Sequence, residues 1–300
     1  MIHGIINVYK ERGYTSHDVV AKLRGILHQK KIGHTGTLDP EAEGVLPVCL
    51  GAGTRLCDML SDRDKTYRAV LLLGQTTDTQ DTTGKVLSAG GEIPGEEEIV
   101  RVIQEFVGVY HQVPPMYSAL KVDGKKLYEL ARAGKTVERQ ARPVQIYEIR
   151  IEEILLPRIV MTVACSKGTY IRTLCHDIGE RLGCGGCMEK LLRIKAGPFV
   201  LEDSRKLSEI EVLKQQGELE TCVILVDRMF EEYPALYTGP EDDRLLHNGN
   251  PLRPFQFWTD AVPEDGSRVR MYDSKGKFCG IYEYSEEKRQ YRPVKMFLTS

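Results

Sequence analysis

Two segments, Val144–Ile154 and Ile159–Cys165, alternate apolar and polar side chains and are separated by a turn signal at Pro157. Strand side chains point to opposite faces with a period of two, so the pair predicts a hairpin with one face buried. Ile2–Val8, Val45–Leu50 and Lys65–Leu73 add three β-prone runs, the last closed by Gly74 and a polar loop, Thr76–Gly84. Helical spacing occurs elsewhere. Ser16 is a predicted N-cap for a helix carrying Val19, Val20, Leu23, Ile26 and Leu27 on one face. Glu96–Val107 is amphipathic on Ile99, Val100, Ile103 and Phe106, and a third helix is predicted from near Tyr170 to Leu182. The expected fold is mixed α/β (α+β), a largely antiparallel sheet with flanking helices.

The chain has 300 residues, enough for two domains with cores of their own. From about Tyr233 the texture changes to short β-prone runs, Arg268–Tyr272, Lys277–Tyr284 and Arg292–Phe297, rich in Gly, Pro and Tyr. The expected division is a catalytic body over 1–230 and a small β-barrel-like module over 231–300. Apolar runs such as Ala69–Leu73 fall far short of the ~18 residues of a membrane span. Residues 1–13 place Asn7 and charges where a signal peptide needs an apolar stretch. Eight cysteines are too few for a disulfide scaffold and are read as reduced thiols, which predicts a cytoplasmic protein with no membrane partner.

Net charge is −2, but the charge is segregated. Residues 117–206 hold 17 basic and 11 acidic side chains, residues 71–116 hold 2 and 7, and residues 207–300 hold 12 and 17. Fields are screened within ~10 Å, so a local basic stretch inside a near-neutral chain either lines a phosphate-binding groove or is merely a solvated face.

The common catalytic templates are missing. No serine stands between glycines two residues away on both sides, no G-x-G-x-x-G occurs, and Gly134-Lys135-Thr136 follows Glu129 where a phosphate-binding loop needs its first glycine. Cys184 and Cys187 have zinc-ligand spacing without a second close pair, and no histidine has glutamate two residues later, so no metal is expected. What remains is Gly33–Gly44, GHTGTLDPEAEG, in which Asp39 is held between Leu38 and Pro40. Proline biases the residue before it towards extended backbone, so the carboxylate sits on a stiff segment. Composition leaves two uses for it: chemistry, or closing a turn and capping a helix that starts at Pro40.

Residues 33–51 (GHTGTLDPEAEGVLPVCLG) resemble the active-site motif of the TruB-type tRNA pseudouridine synthases. Asp64-Lys-Thr-Tyr-Arg68, Leu73-Gly-Gln-Thr-Thr-Asp78, Pro115–Lys121 with Gly124–Arg132, and Ser166–Leu174 resemble further blocks of that family, in its order. His247–Arg253 is similar to its C-terminal RNA-binding module of PUA type. One departure stands near the start: Lys10–Ser16 reads KERGYTS, with Glu11 where the family has proline.

The resemblance implies isomerisation of a uridine in the T arm of tRNA, without cofactor, metal or required protein partner, by a monomer. It makes Asp39 the catalytic aspartate, adding to C6 of the base or C1′ of the ribose or stabilising a sugar intermediate. Arg172 is its cationic partner, expected to hold the carboxylate through two donors. Tyr67 packs on the target ring, and His34 fills the space the flipped base leaves. Tyr170 lies near the Asp39–Arg172 pair, and Lys65 is a phosphate or pocket candidate. An insertion at about 116–142 clamps the RNA; its seven cations, Lys121, Lys125, Lys126 and Arg132 among them, stand against Asp123, Glu129 and Glu138.

Overall fold

A computed structural model describes residues 1–122, 124–257 and 263–298, with only the backbone at Lys121. Asp123, counted above in the insertion, lies outside the described residues. The body begins with β1 (Gly4–Lys10), α1 (Ser16–Leu27), β2 (Ile32–His34), β3 (Glu43–Leu50) and the short α2 (Cys57–Ser61). Next come β4 (Lys65–Leu73), the small hairpin β5 (Gln75–Thr77) and β6 (Val86–Ala89), α3 (Glu96–Gln104) and β7 (Gly108–Gln112). The two-residue strands β8 (Lys121–Val122) and β9 (Lys125–Lys126) lead into α4 (Leu127–Arg132). The body continues with β10 (Arg142–Leu155), β11 (Arg158–Cys165), α5 (Ile171–Arg181), β12 (Gly186–Ala196), β13 (Phe199–Val200) and α6 (Leu207–Gln216).

The main sheet has nine strands in the order β1-β3-β12-β4-β11-β10-β7, with β2 on β3 and β13 on β12. Only β12 with β3 is parallel. The expected hairpin is β10–β11, and Lys65–Leu73 is a strand to the residue. In β4 the alternation is clean: Lys65, Tyr67, Ala69, Leu71 and Leu73 face inward and Arg68 faces solvent. The inner face packs on α5 through Leu174 and Ile178 and on α3 through Ile99 and Ile103. The opposite end of the sheet is covered by α1, whose buried Val19, Val20 and Leu23 pack with Ile210 of α6.

The structure corrects two readings. The helix of 16–27 is capped by Thr15, not Ser16: Thr15 and Asp18 form a reciprocal capping box, and Ser16 is fully buried beneath the loop that follows β2. The 96–107 helix stops at Gln104, because Phe106 and Val107 turn into β7. Neither β12 nor α6 was expected from the sequence, yet β12 is an interior strand. It bonds β4 on one side and meets β3 at Glu43 and Gly44 on the other. Gly44, at φ +103°, is required there, since a Cβ would come within 2.3 Å of the Arg193 carbonyl oxygen.

The tail adds β14 (Ala235–Tyr237), α7 (Asp243–His247), β15 (Arg268–Tyr272), β16 (Phe278–Ser285) and β17 (Gln290–Met296), joined as one four-stranded sheet in that strand order. It has its own core of Leu246, Leu252, Met271, Tyr282 and Tyr291. A shared apolar cluster, Phe199, Val226 and Phe230 with Ile281 and Phe297, fastens it to the body. Among the described residues, no helix is long and apolar enough to cross a membrane.

Candidate active site

The loop between β2 and β3 is pinned at nearly every residue. Thr35 N–H donates to the Pro47 carbonyl, and Leu38 N–H donates to Ser16 Oγ at 2.9 Å. Gly13 N–H donates to the Pro40 carbonyl at 2.9 Å. The buried ammonium of Lys10 donates to the carbonyls of Pro40 (3.0 Å) and Ala42 (2.5 Å). Burial lowers the Lys10 pKa to about 8, with Asp39 among the carboxylates that oppose the shift. The turn missing its proline is thus held by hydrogen bonds to the loop itself. No helix follows Pro40; the turn closes from Ala42 N–H to the backbone carbonyl of Asp39. The carboxylate is therefore not used as a cap.

It faces Arg172 instead. Arg172 stands in the first turn of α5, its side chain only 5% exposed, with Nε 2.9 Å from Asp39 Oδ2. The expected two-donor grip on Asp39 does not occur. The rest of the fork is shared out: Nη1 donates to the Thr79 carbonyl (3.0 Å) and lies 3.7 Å from Asp81 Oδ2, and Nη2 donates to the Tyr117 carbonyl (2.8 Å). One guanidinium therefore ties together three loops. Asp81 is fixed in turn, its Oδ1 accepting from Thr83 N–H and from the hydroxyls of Thr79 and Thr83. Asp39 keeps 41% of its side chain exposed, at the rim of a cleft of about 460 Å³ that Ala42, Val70, Val160, Met188 and Leu191 help to line.

Tyr67 lies inward on β4, and burial pushes its phenol above the usual range, opposed by the charge of Arg193 beside it. Arg193 is directly opposite Tyr67 in the β4–β12 register. Tyr170 is the half-in residue before α5, its backbone N–H and carbonyl both bonded to the Gln112 side chain. Its phenol is raised by burial and feels the charges of both Arg172 and Asp39, as expected for a neighbour of that pair. His34 ends β2, edge-on to His17 with ring centroids 5.3 Å apart, its Nδ1 accepting from Gly36 N–H. Burial first, and then the charge of His17, lower its pKa.

Other candidates lie apart. Lys65 is not offered to a phosphate: its ammonium is buried and donates to the carbonyls of Ser61 and Arg63, with its pKa lowered to about 8 by burial. Lys125, Lys126 and Arg132 belong to the β8–β9–α4 segment, where Lys126 and Arg132 both lie over the Tyr128 ring. The Lys121 side chain lies outside the described residues. Among the described residues, the link from this segment to Asp39 is the Tyr117 carbonyl on Arg172. Cys184 and Cys187 are buried separately, one donating to its neighbour's carbonyl and the other accepting from Gln75. Lys10, Asp81 and Arg193 were not singled out from the sequence; a lone cation in a strand or a second acid in a polar loop gives no signal of its own.

The family model described as "TruB family pseudouridylate synthase (N terminal domain)" matches residues 24–171, and "tRNA pseudouridylate synthase B C-terminal domain" matches residues 172–231. A tRNA pseudouridine synthase B from Lachnoclostridium phytofermentans is 52% identical, covering 99% of this chain and 100% of the relative. One from Clostridium novyi is 44% identical over 93% and 95% of the two chains. Among solved structures, a chain of a Cbf5–Nop10–Gar1 complex is similar, with a TM-score of 0.71 at 28% identity, covering 99% of this chain and 85% of that one. A chain from an H/ACA RNP bound to a substrate RNA containing 2′-deoxyuridine has a TM-score of 0.71 at 25% identity, over 99% and 86%.

Proposed function

The chain belongs to the TruB family of pseudouridylate synthases, and from that premise we propose that it converts a T-arm uridine of tRNA to pseudouridine with Asp39 as the reacting carboxylate. The enzyme breaks the C1′–N1 bond and forms a C1′–C5 bond; C5 loses its proton and N1 regains one, so the product is an isomer. The single observation that carries the assignment is the one-point pair between Arg172 Nε and Asp39 Oδ2. It fixes and neutralises one oxygen, while Oδ1 has no partner among the described residues and is left to the cleft. A carboxylate is ionised at neutral pH without help from a base, and one free oxygen is what addition to the base or the sugar needs.

The remaining roles follow from position. Extracting a stacked base costs a few kcal/mol. The planar ring of His34 replaces the lost stacking without needing a charge, and the Tyr67 ring receives the uracil. Tyr170 borders the pair, and Lys121, Lys125, Lys126 and Arg132 hold the stem backbone on the segment of about 116–142. In this reading residues 1–230 catalyse, and residues 231–300 are a PUA-type module that contacts RNA by shape, being net acidic. The enzyme works in the cytoplasm as a monomer, without a protein partner; light scattering of the free protein tests the last point.

Asp39→Asn keeps the shape of the residue and the constraint of Pro40. Pseudouridine formation in a T-arm stem-loop, read by mass labelling, is expected to fall about 10⁴-fold, or 5–6 kcal/mol of transition-state stabilisation. RNA affinity stays within a few-fold. A variant that retains near-wild-type turnover would remove Asp39 from the chemistry.

A further inference from the structure

Among the described residues, Arg193 is the largest fully buried side chain, 2% exposed. Its Nε donates to the Val45 carbonyl at 2.7 Å, and among the described residues no carboxylate pairs with it. Two more cations, Lys10 and Lys65, are close enough for its charge to lower their pKa values. Both ammonium groups are held by backbone carbonyls, three at Lys10 and two at Lys65, and neither offers Arg193 a counter-charge. Desolvating a guanidinium without a counter-ion is costly, and an apolar residue of similar volume would serve a purely structural role better. Keeping the charge there is costly, and the neighbours indicate its use.

Two placements define where the guanidinium works. Arg193 and Tyr67 are a cross-strand pair, so their side chains leave the sheet on the same face. Its Nη1 lies 3.9 Å from the point where a Cβ on Gly36 would stand, directly beneath the loop that carries Asp39. An arginine only donates, so a phenol oxygen that meets the guanidinium can only accept from it, and the phenol's own hydrogen must then point away. We propose that Arg193 is a positioning residue for Tyr67, fixing the ring and aiming its hydroxyl hydrogen to the side where Asp39 and the flipped nucleotide lie. The charge of Arg193 opposes the effect of burial on the phenol, in keeping with the cross-strand pairing. Arg193 itself touches neither base nor sugar.

The assignment rests on the isomerase reading and is tested by a cycle between positions 193 and 67, with enzyme in excess over a T-arm stem-loop. Arg193→Met is expected to slow single-turnover conversion about 30-fold, to leave RNA Kd within twofold, and to lower the thermal midpoint by no more than about 2 °C, for the Val45 carbonyl left unpaired. Arg193→Lys, which keeps the charge without the fork, recovers part of the rate. In a Tyr67→Phe background, Arg193→Met costs less than twofold more, because the hydroxyl it aims is gone. A full 30-fold loss in that background, or an unchanged rate in the Tyr67 protein, overturns the proposal. So does a rate loss matched by a midpoint several degrees lower. If Arg193→Met does not fold, Arg193→Lys takes its place in the cycle, and a rate loss that persists at full size in the Tyr67→Phe background again overturns the proposal. Asp39→Asn in parallel keeps the two readings apart: its full activity would sink the isomerase assignment, whereas the 193–67 coupling is read from rate ratios alone.

Discussion

Replacing Arg172 by lysine keeps a positive charge and removes the fork, so it isolates what the fork's geometry contributes. The guanidinium donates to the carbonyls of Thr79 and Tyr117, lies 2.9 Å from Asp39, and has Asp81 in ion-pair range at 3.7 Å. A lysine ammonium carries its three donors on one nitrogen and cannot reach acceptors spread over three loops. At least one buried carbonyl, and the orientation of one carboxylate, must be given up. Each buried acceptor left unpaired costs about 1–3 kcal/mol, so a destabilisation of about 2–4 kcal/mol is expected. At roughly 2 °C per kcal/mol for a chain of this size, the thermal midpoint drops by about 4–8 °C. Catalysis suffers more than stability, because Asp39 Oδ1 is aimed only through the hold on Oδ2. A misplacement on the order of 1 Å costs about 10²-fold, and the single-turnover rate of Arg172→Lys should fall by that factor or more. Arg172→Met should fall further, leaving both carboxylates without a cation. Calorimetry and single-turnover conversion on one preparation decide the matter. A lysine variant with a midpoint within 1 °C and a rate within threefold of wild type would show that the fork is a passing contact and that charge alone holds Asp39.

Two other outcomes follow from the cations. Lys10 and Lys65 titrate near pH 8 in the folded protein and near 10.5 when free. Above pH 8 the unfolded chain keeps protons that the folded one has released, so these two groups add stability as pH rises from about 8 to 10.5. Thermal midpoints from pH 7.5 to 9.5 should therefore fall more steeply, or rise less, in Lys10→Met/Lys65→Met than in the parent; parallel curves refute the linkage. RNA affinity should drop steeply with salt, each neutralised phosphate adding roughly 0.7–0.9 to the log–log slope. Removing Lys125, Lys126 and Arg132 together should lower that slope by about 2 while saturating turnover stays near normal. An unchanged slope in anisotropy titrations would make the segment a solvated face.

Elements whose alternation agrees with their final burial were legible to the residue. Lys65–Leu73 has one inward and one outward face, and its pattern states both. β12 was not legible for the opposite reason. Its MEKLLRIKA stretch spaces apolar residues as a helix would, and only pairing with β4 and β3 makes it a strand. The same limit governs the site. Asp39 was visible because Pro40 and the glycines around it are local signals, and Arg172 through its resemblance to a known block. The single-donor pairing was not, because it depends on where Thr79, Asp81 and Tyr117 come to rest, 55 to 93 residues from Arg172. Lys65 was misjudged because exposure is a tertiary property; the same side chain outside a closed turn would have been available to phosphate.

The buried cations explain how a carboxylate on an open cleft stays aimed. Lys10 grips the loop by its carbonyls, Arg172 grips one carboxylate oxygen, and Arg193 lies below the same loop. All three are held by backbone carbonyls as well, so their positions do not depend on Asp39 being charged. In the proposed reaction, a field fixed in that way costs no reorganisation when the carboxylate reacts, which is where preorganised charge is most effective. It also separates two tasks that net charge confuses. Cations facing solvent on the β8–β9–α4 segment are free to meet phosphates, whereas the buried ones are committed to the loop and cannot be recruited by RNA. Binding and catalysis should therefore respond to different substitutions, and a variant of the buried set that loses rate without losing RNA affinity is the expected signature.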